Sequence, residues 1–389
     1  WLTRFYSISI ADSALAFCSD IVIINYEQVS KYQQLIHTKK WDMLIADECH
    51  LMRNRNTLRA RYIVGYPEEN IPPVKATRRI LLTGTPILNR AKELWALISY
   101  LNPKVWSSYD KFAQQFCQKQ DHELGDYDDG SSNLDTLQTQ LRATVMIRRR
   151  KADVLKQLPP KFREIVEIQT DSRQTLALIE QEHNLVYNMQ QDLAAAENAA
   201  KAAYDHQAWQ EYEQILNHFH TTKKHSLGEI SRVRHQIALE KVPMVIAYIN
   251  DTLECTDKVV VFAHHQDVIS SIAQAFGNSA VIISGSQSPQ AKQDAIDSFQ
   301  NQSNIKVCVA SILAAGTGIT LTASHHVLFA ELDWIPANVT QAEDRCHRIS
   351  QTQPVIVKHL ILNNSLDVKI AQKIIAKQKI YEEALNQPQ

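Results

Sequence analysis

The sequence predicts an α/β protein built as two parallel-sheet lobes, the first incomplete, with helical protrusions between them. Three observations carry that expectation. Short apolar runs ending in polar or turn residues recur in two sets, before residue 90 and after residue 258. Strands buried on both faces read this way, and their alternation with helical stretches marks parallel sheets. A different texture separates the sets: residues 171–240 are rich in Gln, Ala, Glu and Lys, hold one glycine and no proline, and so read as long helices. Finally, 389 residues are too many for one ordinary core.

In the first set the predicted strands are Ile21–Ile24, Met43–Ala46 and Ile80–Leu82. Residues 118–135, with Asp126, Asp128, Asp129 and Gly130, read as an exposed acidic loop; glycine and terminal acid lack the offsets of a calcium loop. Pro159-Pro160 starts the crossing between lobes, because X-Pro disfavours helix on its amino-terminal side. A pair or trio of helices follows. In the second set the strands are Val259–Phe262, Val281–Ile283, Val307–Ala310, Val327–Phe329 and Val355–Leu360, with a helix starting near Pro336. The boundaries are 1–158 for the first lobe and its protrusion, 159–240 for the helical interlobe region and 241–389 for the second lobe.

The densest polar segment is Gln341–Gln351, which sets Arg345 and Arg348 three residues apart behind Glu343 and Asp344. On a helix such a pair shares one face, as a second domain needs in order to clamp phosphates. Its counterpart is Leu44–His50, an apolar run ending in Asp47-Glu48-Cys49-His50. A buried strand that delivers two acids suits a nucleotide's metal, with Asp47 holding Mg²⁺ and Glu48 orienting and deprotonating the attacking water. His50 would couple this site to the other lobe. The plainer reading is a strand end with a solvated acidic pair.

Thr83-Gly84-Thr85-Pro86 follows the next strand, as a hydroxyl-rich relay turn or equally as a helix entry with Pro in its first turn. Gly316 and Gly318, flanking Thr317, let backbone approach a phosphate or nucleic-acid strand, although Gly-x-Gly also serves simple turns. The run Arg148-Arg149-Arg150-Lys151 either meets phosphate or is solvated. His264-His265 ends a strand with no metal-ligand spacing nearby. No stretch matches G-x-x-x-x-G-K-[ST], and none of the nine glycines precedes Lys. Without a phosphate loop, these residues alone are expected to be an inactive part of an ATPase.

Composition narrows the partners. Lys+Arg (41) and Asp+Glu (42) nearly cancel, so a nucleic-acid surface must be local. The six cysteines show no C-x-x-C spacing and read as reduced thiols of an intracellular protein. That protein would be cytoplasmic in a bacterium or phage and nuclear in a eukaryote. No apolar stretch has the length of a membrane span. Oligomeric state leaves no mark in the sequence.

These motifs together resemble the Swi/Snf-type ATPases of helicase superfamily two, from residue 20 to about 385. Ile21–Val29 looks like the family's segment before the acidic, DEAH-like box, Leu44–His50 like that box, and Leu81–Pro103 like the third motif with its helix. Phe112–Cys117 and Met146–Lys161 resemble the stretch in which these ATPases depart from plain helicases. Val259–His265, Glu331–Pro336 and the opening of Gln341–Gln351 are most similar to the annealing-helicase (HARP) branch and its bacterial and phage relatives. Ser350 stands where the family usually has Gly, and Lys292 where Arg is usual.

The resemblance implies two RecA-like lobes and ATP-driven translocation on double-stranded or forked DNA, with ATP and Mg²⁺ as cofactors. It makes Asp47 and Glu48 the metal and water residues and Arg345 and Arg348 the arginine fingers. Gln341, Asp344, Gly316 and Gly318 fall on the nucleotide side. Ser284, Gly285, Ser311 and Thr317 would face DNA, as would Thr83, Thr85 and Arg148 to Arg150. Two alternatives stay open: a motor of the same family remodelling a protein–nucleic-acid complex such as a stalled polymerase or serving a phage or restriction system, and a catalytically inactive module that binds DNA or a partner.

Overall fold

The computed structural model describes residues 6–84, 91–117, 132–149, 151–206, 208–315 and 318–372. Expectations placed on Thr85, Arg150, Gly316, Thr317 and most of the acidic loop lie outside these described residues. The chain divides into two units, Trp1–Arg148 and Arg149–Gln389.

In the first unit, β1 (Ile8–Ile10) pairs in parallel with β2 (Ile21–Ile23), and β3 (Trp41–Ala46) with β4 (Ala76–Leu81). The three predicted strands appear as β2, β3 and β4; β1 was not anticipated. Side chains alternate across a strand, so one face of these pairs can enter a core. That core gathers Phe17, Tyr32, Ala46, Met52, Ile63 and Leu97, drawn in part from α1 (Gln33–Thr38), α2 (Leu58–Val64) and α3 (Trp95–Leu101). The opposite face stays exposed at Ile8, Ile10, Ile23 and Ile45, whereas parallel strands ordinarily bury both faces. A second cluster, including Trp95, Trp106, Phe112, Phe116 and Leu137, holds α4 (Tyr109–Phe116) and α5 (Leu134–Thr144) together. Ser108 caps α4, its hydroxyl accepting from the Lys111 N–H, as N-cap serines do.

The second unit is built on a six-stranded parallel sheet of order β5-β10-β9-β6-β8-β7. Its strands are β5 (Lys161–Ile168), β6 (Val259–Ala263), β7 (Ala280–Ile283), β8 (Val307–Ser311), β9 (His326–Phe329) and β10 (Val355–Leu362). Every residue of β6 is fully buried, because apolar clusters cover both faces of the sheet. Each such side chain contributes about 1.5–3 kcal/mol of burial if it is Val or Phe. Helices α6 (Lys151–Val154), α7 (Arg173–Asp205), α8 (Trp209–Leu253), α9 (Gln266–Phe276), α10 (Pro289–Asn301), α11 (Ile312–Ala315) and α12 (Pro336–Glu343) complete the unit.

Three expectations change. The segment after Pro159-Pro160 does not simply cross between lobes: Lys161–Ile168 forms β5, in register with β10 from Val355↔Lys161 to Leu362↔Ile168. Four of its eight residues, Lys161, Arg163, Glu164 and Glu167, are charged, which hides this edge strand from a search for apolar runs. The helical region resolves into α7 and α8, and α8 runs on to Leu253, past residue 240. Helix α12 ends at Glu343, so Arg345 and Arg348 stand on the turn after it and not on a helix face.

The roots of α7 and α8 are fastened to the sheet by a buried polar network. Arg234 pairs with Asp367 at 2.8 Å, and Lys241 donates to the Leu360 carbonyl at 2.9 Å. Glu182 is 1% exposed and accepts from the Leu366 N–H at 2.7 Å. Burial, reinforced by Asp367, pushes its carboxyl from 4.5 up to about 7. Between those values the folded protein holds a proton that the unfolded chain has released, so stability falls as pH rises through this window. The penalty is complete above about 7. Glu182→Gln keeps an acceptor and removes the charge, so it should raise the thermal midpoint over wild type near pH ~8 and much less near pH ~5. Up to about 3 kcal/mol is expected at the higher pH; an equal effect at both would exclude ionisation of Glu182 as the cause.

Candidate active site

The chain leaves β3 through a turn that the next strand holds in place. Leu82 N–H donates to the Ala46 carbonyl at 2.8 Å, and Cys49 N–H to the Leu82 carbonyl at 2.9 Å. Asp47 stands exposed at the strand's carboxyl end, and its Oδ1 accepts from the Glu48 N–H at 2.9 Å. Glu48 takes a left-handed backbone, φ 47° and ψ 46°, which costs a residue with a Cβ about 1 kcal/mol or more. Strain of this kind is kept where the surroundings dictate the direction of a side chain.

Two neighbours complete the turn. Tyr26 donates its hydroxyl to the Asp47 carbonyl at 2.7 Å. Burial, with Cys49, Asp47 and Glu48 nearby, raises the Tyr26 pKa and so keeps that donor protonated. His50 lies with Nδ1 3.1 Å from Glu48 Oε2 and 3.4 Å from Thr83 Oγ1. The ring thus joins the acidic turn to the residue two beyond the end of β4. Burial, then the Glu48 charge, pushes the Cys49 thiol up to about 12, so it is not a thiolate nucleophile. Gly84 follows Thr83 with open space around its Cα.

In the second unit the strand exits gather another set. Ser284 is buried just past β7; its N–H donates to Gln287 Oε1 at 2.9 Å and its hydroxyl meets Ser286 Oγ at 2.9 Å. Gly285 beside it is exposed. Ser311 ends β8 opposite Ala263, and Gly318 has φ +59°, a backbone that suits glycine. At the exits of β6 and β9 the Glu331 carboxylate accepts from the His264 and His265 N–H groups at 2.8 and 2.9 Å and meets His265 Nδ1 at 2.6 Å. The His265 ring stacks on His235 of α8 with centroids 4.0 Å apart. The His265 ring is thus engaged by a carboxylate and a neighbouring imidazole.

The arginine turn is tied to the other end of the sheet, where β5 and β9 begin. Arg345 is 6% exposed, and its carbonyl accepts from Leu321 N–H at 2.9 Å. Arg348 donates from Nη1 to Thr320 Oγ1 at 3.2 Å. Gln351 Nε2 donates to the Ser324 carbonyl at 3.0 Å, and the Ser350 hydroxyl lies 2.9 Å from Thr322 Oγ1. Gln341 lies half-buried on α12. Asp344 meets Lys151 at 2.7 Å and Lys161 at 2.9 Å. Arg148 is half-buried and Arg149 exposed.

Sequence reasoning overlooked Tyr26, Lys161 and Glu331 as members of these constellations, and with them Arg163, which donates to Glu343 beside the arginine turn. One signal existed for the cations: Lys161 and Arg163 are two apart, hence on one face of a strand.

Two family models match the chain. The SNF2-related domain matches residues 7–226, and the helicase conserved C-terminal domain matches residues 240–350. The chain is 33% identical to human DNA annealing helicase and endonuclease ZRANB3, over 90% of this chain and 30% of that protein. It is 30% identical to the Drosophila melanogaster SWI/SNF-related matrix-associated actin-dependent regulator of chromatin subfamily A-like protein 1, over 94% of this chain and 45% of that protein. It thus spans less than half the length of these relatives. The solved Sulfolobus solfataricus SWI2/SNF2 ATPase core in complex with dsDNA is 23% identical, with 98% of this chain and 77% of that chain covered and a TM-score of 0.35.

Proposed function

The chain belongs to the SNF2-related family, and from that membership we propose that it is the motor part of an ATP-dependent translocase that tracks double-stranded or forked DNA. The observation that carries the reading is the joined pair of strand ends in the first unit. Glu48, on a strained turn beside Asp47, and Thr83, just past the neighbouring strand, are linked through one imidazole, His50. Support also comes from the curated relatives, whose names describe DNA annealing helicases and SWI/SNF-related regulators of chromatin.

The residues fit a magnesium nucleotide. Among the described residues no three His, Cys, Asp or Glu side chains form a metal cluster, and Mg²⁺ commonly takes one or two carboxylates together with substrate phosphates. The exposed Asp47 carboxylate would be such a ligand. Bound Mg²⁺ would neutralise charge on the phosphate oxygens. Glu48 would accept the proton of the attacking water at a carboxylate oxygen, with His50 fixing its direction. Arg345 and Arg348 would supply positive charge to the transferring phosphoryl group. Thr83, Ser284, Gly285, Ser311, Arg148 and Arg149 would line the DNA backbone, and Gln341 and Gly318 would stand toward the nucleotide.

With a net charge of −1, DNA contact must come from a narrow surface. Binding by the full-length protein should then be independent of sequence and lost steeply with salt, because each neutralised phosphate releases counterions. ATPase activity should respond to duplex or forked DNA more than to single strands. The protein should displace a third strand from a triplex without opening a blunt duplex. Efficient opening of a plain duplex with no triplex displacement would replace the translocase reading with that of an ordinary helicase.

A further inference from the structure

The two acids that precede Arg345 are held by cations of the segment that leads into the second sheet. Glu343 is 0% exposed. Arg163 on β5 donates to it from Nε at 3.0 Å to each oxygen and from Nη2 at 2.7 Å. Lys161 Nζ stands 2.8 Å from Oε2, and His359 Nε2 of β10 lies 3.7 Å from Oε1. Burial alone would raise the Glu343 pKa, yet Lys161, His359 and Arg163 hold it well below its ordinary range, so the carboxylate stays ionised. Asp344 bridges Lys161 and Lys151. Lys151 also donates to the His347 carbonyl at 3.2 Å, and the His347 ring Nε2 meets the Pro159 carbonyl at 2.7 Å.

Residues on both sides of Arg345 are therefore anchored to the segment Lys151–Arg163, and the anchors differ in kind: a fork, two ammonium groups and an imidazole. A guanidinium fork fixes direction as well as distance. Two carboxylates satisfied by Lys151, Lys161 and Arg163 point to a positioning duty.

We propose that Glu343 and Asp344 are positioning residues that lock the strand-entry segment Lys151–Arg163 to the turn bearing Arg345 and Arg348, making Lys151, Lys161 and Arg163 determinants of arginine alignment. The inference rests on the motor reading for its catalytic consequence, but its structural part stands apart from it. The chain that joins the first unit to the second unit's sheet is, on this basis, the element that sets the arginines.

The test uses Arg163→Gln, Arg163→Lys and Lys151→Gln in the full-length protein. Lys151 is the most exposed of the three cations, with 43% of its side chain accessible, so that variant is expected to fold. Amide hydrogen exchange over residues 344–348 should rise in Arg163→Gln and Lys151→Gln, whatever the catalytic state. Unchanged exchange in both would overturn the lock. For DNA-stimulated ATPase, kcat should fall by up to about 10²-fold in Arg163→Gln, as misplacement of a catalytic group does, while KM and the affinity for a fluorescent ADP stay within about twofold. Arg163→Lys should recover part of the loss. In an Arg345→Ala background the further loss should shrink to about twofold or less, since the effect acts through that arginine. Equal fold-losses in both backgrounds would show a role in packing alone and overturn the proposal. Raised exchange in a protein whose wild type turns over no ATP would leave the lock standing and overturn the motor reading.

Discussion

Glu48→Gln in the full-length protein is expected to abolish ATP turnover while leaving nucleotide affinity nearly unchanged. Glutamine fills the same space and meets the same left-handed backbone, φ 47°, so the turn gains no new strain. What disappears is a carboxylate able to take a proton, and a positioned general base contributes about 10²–10⁴ in rate. Loss of a group that acts in the transition state lowers kcat and kcat/KM together. Single-turnover hydrolysis beside a fluorescent-ATP titration measures both quantities. Turnover within about tenfold of wild type would remove Glu48 from the role of base.

Arg345→Ala should cost as much or more. An arginine that meets the charge of a transferring phosphoryl group contributes about 10³–10⁵ in rate, and Arg345 is the more buried of the two arginines. Because the side chain is 6% exposed, its loss also affects packing, and the thermal midpoint must be read beside kcat. Arg345→Lys separates the two effects: it keeps charge and most of the bulk but not the fork. If Arg345→Ala stays folded and keeps more than about half of wild-type turnover, the phosphoryl role is wrong.

The constellations of the two units were legible to different degrees for a local reason. Asp47, Glu48, His50 and Thr83 lie at the ends of apolar runs, and strands mark their own ends. The structure then added what spacing does not carry: Tyr26 on the Asp47 carbonyl, and His50 turned toward Glu48 and Thr83. Edge strand β5 escaped because Lys161, Arg163, Glu164 and Glu167 make half of it charged, so that it resembles a surface segment. Arg345 and Arg348 were recognisable as a pair, but the helix meant to carry them stops at Glu343.

Sequence by itself determined the α/β class, five of the six strands of the second sheet and the long helical region between the two sets of strands. Each of these is written in local periodicity or in residues a few positions apart. Only the tertiary structure decided strand order, the addition of β5 to the sheet's edge and the partners of the acids. Glu343 and Arg163 are separated by 180 residues, and no local pattern chooses between solvent and such a partner. Burial does: taking the Glu343 carboxylate out of water is costly unless a cation comes with it, so the packing of α12 against β5 and β10 selects Lys161 and Arg163.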